Sequence, residues 1–417
     1  MLCFVYIQDA IIGDTVFYQF IDSSLKEYFR VGILPDKREV NEIKERFVAS
    51  ALLLKKVAEA VFERYDIKDV FIYESTYVDG GVFGEVANVN GIDVINVGGG
   101  FHGSHQESYM FSRGKGPGLP TYTPEELWNV FKERELNKES EALLYKIIKS
   151  RQHGFGFGMS HLKKSKSELA KTYTNSFSNK NGPTFGLFTN VIWDSSITTS
   201  NTLFNDIFEW IEFTINWFTD HPDKNLIIKV HPEAPTQTKQ DIYKWIIETF
   251  DLPDNIVVLP QGTKVNPYEL YKELDSGIVY TSTAGLELLL EQKPVIVCAG
   301  THYANRGFTV DPENILAYKK ILENNPRLSN EQYNLCKKYA YLFFVLRHFW
   351  IDSFDHSGRN LYTSSMVKLY PEKMLKALKG EDFQIERICN CIIKDEYFVN
   401  SDDSKIRELF NKQIINV

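Results

Sequence analysis

From residue 183 onward, short runs of β-branched and apolar residues alternate with longer stretches whose apolar residues recur at helical spacing. That pattern predicts strands at 185–192, 225–231, 255–259, 277–281 and 294–298, each followed by a helix, at 203–219, 237–250, 267–274, 284–292 and 312–323. Strands joined through helices run parallel, because each crossover returns the chain to the same end of the sheet. The expected architecture is therefore α/β, a doubly wound parallel sheet with helices on both faces.

The first half of the chain is less regular. It predicts a long helix from Glu39 to Tyr65, a strand from Val70 to Tyr73, a helix from Val82 to Asn90 and a strand from Asp93 to Val97, which is half of a second α/β unit. Residues 113–123 and 174–184 are rich in Gly, Pro, Ser, Thr and Asn and read as a loop and an interdomain linker, with the boundary near Pro183. Beyond residue 325 the pattern is helical, with Tyr339, Phe343, Leu346 and Trp350 at helical spacing, and 371–417 is of mixed charge. Three segments follow: 1–182, 183–335 and a helical 336–417.

Composition narrows the function classes. A formal net charge of -8 argues against nucleic acid, whose binding proteins carry basic faces that displace counterions. The five cysteines, Cys3, Cys298, Cys336, Cys389 and Cys391, are odd in number and scattered, which fits reduced thiols in a cytoplasmic protein. No apolar run approaches the roughly 18 to 20 residues a membrane span needs, and Gln8, Asp9 and Asp14 interrupt what a signal peptide would keep apolar. The aromatic cluster of Phe343, Phe344, Phe349 and Trp350 leaves peripheral association with a membrane open, beside the commoner alternative of a core.

Two motifs fall at predicted strand ends, where open α/β sheets bind ligands. The first is Lys229-Val230-His231-Pro232-Glu233, in which period-two alternation sets Lys229 and His231 on one side and Pro232 ends the strand, so that two cations can meet an anion. The second is Thr281-Ser282-Thr283-Ala284-Gly285-Leu286-Glu287, a strand turning through small hydroxyl residues into a helix. Unpaired helix N–H groups, the hydroxyls of Thr281, Ser282 and Thr283, and a glycine at 285 that admits a ligand to the backbone outline a phosphate site, with simple N-capping as the bland alternative. Together the motifs describe a clamp for a nucleotide phosphate. Between them, the backbone at Gly262 is placed to meet a base and Glu287 to accept ribose hydroxyls, while Tyr303 and Arg306 in the loop Gly300–Thr309 are candidates to hold a sugar or an acidic group on it.

In the first half, Glu74 and Asp79 follow a strand and precede a helix, where a carboxylate either takes a proton or caps the helix. The Gly98-Gly99-Gly100-Phe101-His102-Gly103-Ser104-His105 loop, with Arg113 beyond it, suits an acceptor through His102, His105 and Arg113. The loop has neither the glycine spacing of a dinucleotide fingerprint nor a Walker lysine, and the nine histidines show no zinc spacing, so neither a cofactor nor a metal is expected.

On these residues the chain resembles the capsule polysaccharide biosynthesis family, bacterial glycosyltransferases that include the Kdo transferases of capsule assembly. The resemblance covers most of residues 66–356. It rests on Leu187 to Asp194, Lys229 to Pro232, Ser282 to Glu287, the loop ending Gly307-Phe308-Thr309 and the aromatic stretch Tyr341 to Phe349. It implies a GT-B fold of two Rossmann-like domains facing a cleft, with C-terminal helices packing back across them. The C-terminal domain would hold a nucleotide-activated sugar, and the N-terminal domain a growing surface polysaccharide or glycolipid acceptor.

In similar enzymes that use CMP-sugars, a His-Pro pair and a Ser/Thr pair hold the single phosphate. That carries to His231 with Pro232 and to Ser282 with Thr283, and favours CMP over UDP or GDP. Glu74 or Asp79 would then be the general base, although relatives tend to have His where Glu74 stands, and the first domain is short of an opening βαβ unit. The implied location is cytoplasmic, with attachment to the inner membrane or to a polysaccharide assembly complex left open. A non-hydrolysing UDP-N-acetylhexosamine 2-epimerase ranks second, because its Gly-Gly after the serine and its Glu-Arg-Pro after the last strand are absent here. A noncatalytic nucleotide-sugar-binding component of a glycan assembly complex ranks third.

Overall fold

The computed structural model describes residues 15–99, 108–153, 169–179, 181–193, 202–232, 239–350, 354–355, 368–369, 375–376 and 378–400. In chain order its first elements are α1 (Thr15–Phe29), α2 (Arg38–Arg64), β1 (Asp69–Tyr73), α3 (Val78–Val89), β2 (Asp93–Gly99), β3 (Ser108–Gly114), α4 (Glu125–Phe131), α5 (Lys138–Gln152) and α6 (Leu169–Thr174). There follow β4 (Thr184–Phe188), α7 (Ile207–Thr219), β5 (Asn225–Lys229), α8 (Ile242–Thr249), β6 (Ile256–Leu259), α9 (Pro267–Lys272), β7 (Ser276–Val279), α10 (Ala284–Leu290), β8 (Val295–Val297) and α11 (Ile315–Asn324). The chain continues through α12 (Asn330–Tyr341), a π turn (Leu342–Leu346), β9 (Phe349–Trp350), β10 (Phe354–Asp355), β11 (Lys368–Leu369) and α13 (Phe383–Ile393). The class is mixed α/β, as the alternation predicts.

All five predicted strands of the second half are present. They form one sheet in the order β6-β5-β4-β7-β8, every pair parallel. Four of them end short of their predicted C-terminus because the last residues leave the ladder for the loops at the carboxyl edge, while β6 ends at Leu259 as expected. One face is covered by α7, α8 and α11 through a cluster containing Leu187, Trp210, Ile228, Ile246, Ile278 and Tyr318. Helix α7 starts where Asp206 accepts from the Phe208 and Glu209 amides at 2.8 and 2.9 Å, and it turns Trp210, Ile211, Thr214, Ile215 and Phe218 inward at helical spacing. On the opposite face the Phe188 ring meets Tyr271 of α9 edge to face, 5.2 Å between centroids. Gly277 leaves room there for Leu288 of α10, whose Cδ1 lies 2.5 Å from where a Cβ would stand.

The second sheet is four-stranded and mixed, in the order β1-β2-β3-β9, with β1 and β2 parallel and the other pairs antiparallel. Here two expectations are corrected. Residue 113 lies in strand β3, not in a loop. The stretch through Trp350 is not one helix: it ends in the π turn, and Phe349 and Trp350 pair with Tyr109 and Ser108. The cause is Arg347, buried and donating to the Phe111, Pro120 and Thr121 carbonyls and to Thr123 Oγ1 at 2.7 to 3.0 Å, a set of acceptors that a continuing helix could not present. Phe343, Phe344 and Phe349 are fully buried, so those aromatics are core. Helix α13 covers this sheet through Ile388 and Cys391, packed with Ile95, Phe111 and Phe349.

By packing, the chain divides into two compact units. One takes the described residues within Met1–Val57, Thr76–Val82 and Lys164–Cys336, and the other those within Ala58–Ser75, Phe83–Lys163 and Lys337–Val417. The division departs from the predicted boundary at 182 because the α1–α2 connection docks on the five-stranded unit. The Gly32 and Ile33 amides donate to Gln240 Oε1 at 2.8 and 3.1 Å, and the Arg30 guanidinium lies 3.9 Å from the Trp193 ring centroid. Thr76–Val82 joins the same unit through the Val78 amide, which donates to Ser24 Oγ at 2.9 Å, and through Phe20 filling the space beside Gly81.

Candidate functional site

Because all five strands of the second sheet point the same way, their carboxyl ends form one edge. Across it Leu259, Lys229, Phe188, Val279 and Val297 stand in register. Strands β4 and β7 are neighbours here, and the chain leaves β4 for one face and β7 for the other. At such a reversal of strand order the loops part and leave a crevice.

Register partners project from the same face, so Lys229 lies on the Phe188 face, the one on which α9 and α10 pack. Its side chain is nearly enclosed, and burial lowers its pKa from 10.5 to about 8. A buried ammonium without an anion is costly, which makes this position receptive to negative charge. Two residues on, the His231 amide donates to Thr189 Oγ1 at 2.9 Å, and the Thr189 amide donates to the Lys229 carbonyl at 3.2 Å. Thr189 thus ties the first residues beyond β4 and β5 together. It was not singled out from the sequence because its role comes from a strand pairing across 41 residues. Pro232 follows, half-buried.

The turn Thr281-Ser282-Thr283 leads into α10 and is half-buried throughout. Ser282 Oγ accepts from the Ala284 amide at 3.2 Å, so the capping alternative holds for Ser282, while the Thr283 side chain makes no cap bond. Since α10 covers the Phe188 face, Lys229 and this turn share both an edge and a face of the sheet. They are separated by β4, an inter-strand span of about 10 Å across two spacings.

Three of the expected ligand contacts are taken up by the fold. The space beside Gly285 is filled by the Tyr303 hydroxyl rather than left open to a ligand. Tyr303 itself is fully buried and donates to the Ser282 carbonyl at 2.5 Å, which fits support of the turn rather than contact with a sugar. Glu287 is buried and accepts from the Tyr271 hydroxyl at 3.3 Å. Gly262 is exposed beyond β6, and Arg306 is half-buried in its loop.

In the other sheet, Glu74 is the first residue past β1. It is exposed, its amide donates to the Val97 carbonyl at 3.3 Å, and it holds a φ of 53°, a left-handed conformation that costs a non-glycine residue free energy. The neighbouring Ser75 is locked, its hydroxyl donating to Asn96 Oδ1 or the Gly118 carbonyl at 2.5 and 2.7 Å and accepting from the Gly118 amide at 2.9 Å. Asp79 is exposed in the first turn of α3, where a carboxylate complements the helix dipole. Arg113 does not reach out to an acceptor: it is paired with Asp69, Asp93 and Asp395 and donates to the Ile392 carbonyl at 3.3 Å. His102 and His105 lie outside the described residues. Among the described residues no group of three or more His, Cys, Asp or Glu stands together as a metal site. No described helix is long and apolar enough to cross a membrane.

Residues 145–340 match the family described as capsule polysaccharide biosynthesis protein, so the resemblance carried by Lys229 to Pro232 and Ser282 to Glu287 is confirmed over that stretch. No curated protein matches the chain. Among solved structures it is similar to the beta Kdo 2,4 transferase of Thermosulfurimonas dismutans KpsC, with 16% identity over 70% of this chain and 84% of that one and a TM-score of 0.43. The beta Kdo 2,7 transferase of the same protein gives 15% identity, 78% and 89% coverage and a TM-score of 0.42. The UDP-GlcNAc 2-epimerase of Methanocaldococcus jannaschii gives 17% identity, 70% and 79% coverage and a TM-score of 0.31.

Proposed function

We propose, from the premise that residues 145–340 are those of a capsule polysaccharide biosynthesis protein, that the chain is a glycosyltransferase. It moves a sugar from a nucleotide-activated donor, a CMP-sugar by preference, to a growing bacterial surface polysaccharide or glycolipid. One observation carries this proposal: Lys229, a buried cation lowered to about 8, shares an edge and a face of the parallel sheet with the Thr281-Ser282-Thr283 hydroxyl turn. That pairing of a desolvated charge with small donors suits an oxyanion such as a phosphate.

In the reaction the acceptor hydroxyl gives its proton to a carboxylate, Glu74 or Asp79, as its oxygen forms a bond to the anomeric carbon. The bond from that carbon to the phosphate oxygen breaks, and the electron pair leaves with the nucleotide. The negative charge gained by the phosphate is met by Lys229, by His231 beside Pro232 and by the Ser282 and Thr283 hydroxyls, and donors fixed before the reaction would meet it at little cost in reorganisation. On this reading a single phosphate needs no metal ion beside these groups.

The test is thermal stabilisation of the protein by CMP, CDP, UDP and GDP, since a ligand that binds only the folded state raises the melting temperature. Selective stabilisation by CMP, lost in His231→Ala with circular dichroism unchanged, is the expected result. Stabilisation by UDP alone would replace the CMP preference, and the absence of any shift would overturn the donor assignment.

A further inference from the structure

A cavity of about 800 Å³ opens at the carboxyl end of β8, walled by the Val297–Gly300 segment, Thr202 and Leu203, Asn305, and the Asp311–Leu316 run that leads into α11. Val310 extends the sheet at this edge: the Val297 amide donates to its carbonyl, and its own amide donates to the Val295 carbonyl, both at 2.9 Å. Asp311 is thereby fixed beside the end of β8, one strand away from the Thr281–Ser282 turn.

Its carboxylate is half used. Oδ2 accepts from the Thr309 hydroxyl at 2.6 Å, whereas Oδ1 is buried with no hydrogen-bond partner among the described residues. Burial raises the pKa of this group against the opposing effects of Thr309 and the Asn305 backbone. An enclosed acceptor of this kind calls for a donor, and among the described residues only the Asn305 backbone approaches the carboxylate beside Thr309, leaving Oδ1 without a hydrogen bond of ordinary geometry. The lining is of mixed character: Leu203, Ile315 and Leu316 are apolar, while Thr202, Asn305 and Asp311 are polar. A sugar has the matching character, with C–H faces and hydroxyl donors at its rim, and the volume lies within the range of small-molecule sites.

We propose that this cavity receives the hydroxyl-bearing part of the donor sugar, with Asp311 Oδ1 accepting from a sugar hydroxyl. The assignment rests on the nucleotide-sugar function proposed above. It moves the sugar contact from Tyr303, which the fold has enclosed, to a residue eight positions later.

The experiment titrates the full chain by calorimetry with CMP, UDP and GDP and with CMP-N-acetylneuraminic acid, UDP-N-acetylglucosamine, UDP-galactose and GDP-mannose. Asp311→Ala should weaken the best-bound conjugate at least tenfold while leaving its parent nucleotide within twofold. Leu316→Trp, which keeps the carboxylate and fills the cavity mouth from an exposed position, should do the same. Equal weakening of nucleotide and conjugate, no weakening of either, or binding of nucleotides with rejection of every conjugate would each overturn the sugar assignment. If no nucleotide binds the unmodified protein, the donor function itself fails and the sugar site with it.

Discussion

Replacing Lys229 by Met should make the protein more stable and worse at binding nucleotide. Burial lowers this ammonium from 10.5 to about 8. While the group stays charged, that shift costs the folded state about 3 kcal/mol relative to the unfolded chain. Met fills a similar volume without a charge, so Lys229→Met should recover on the order of 1–3 kcal/mol after imperfect packing is deducted. The pH dependence gives an independent check. Between about pH 8 and 10.5 the unfolded chain binds more protons at this site than the folded one, so stability should rise with pH across that window in the parent protein. In Lys229→Met this contribution should be missing.

Nucleotide affinity should move the other way. The ammonium is about 90% protonated near pH 7 and about 10% near pH 9, so if the charged form holds the phosphate, affinity should fall roughly tenfold over that range. Denaturant melts and CMP titrations at several pH values measure both quantities on the same samples. A variant that is less stable than the parent, with CMP affinity unchanged and still pH-dependent, would refute the account of Lys229 as a desolvated phosphate ligand.

Glu74→Gly should stabilise the protein by about 1 kcal/mol, because glycine adopts the left-handed φ of 53° without steric cost. If the side chain is the base, transfer should be lost in the same variant; lower stability with full transfer would mean that the strain serves neither purpose. Gly285→Ala should lose about 1–3 kcal/mol by driving a methyl group into the Tyr303 hydroxyl. Tyr303→Phe in the same chain should return part of the loss, whereas strictly additive melting temperatures would show that the two do not collide. Arg347→Ala should cost at least about 3 kcal/mol, as four acceptors around a buried guanidinium lose their donor together, and a denaturation midpoint within error of the parent would contradict it.

The five-stranded sheet was legible because its signal is local. Runs such as Leu226-Ile227-Ile228 and Val295-Ile296-Val297 are apolar on both faces, and each is followed by a helix with its own cap, Asp241 for α8 or Asn314 for α11. Strand alternation likewise predicted that Lys229 belongs at a carboxyl edge. The burial that perturbs it was not legible, since it arises where β5 pairs with β4 and β6, segments tens of residues away in the chain.

Misreadings arose where one residue's surroundings are set by another far away. Residue 285 is a glycine in either account, but only tertiary packing shows that the vacated space holds Tyr303. Arg113 reads as a free cation in a Gly-rich stretch until β1, β2 and Asp395 close around it. Trp350 keeps helical spacing with Phe343 and Leu346, yet Arg347 and the open edge of β3 draw it, with Phe349, into a strand. Periodicity, caps and strand ends are properties of neighbouring residues, so the sequence alone determined the class of fold and the strand ends at which the proposed site stands. Burial, the pairing of charges and the sharing of cavities join residues tens to hundreds of positions apart, and only the tertiary structure decided which side chains at that edge remain for a ligand.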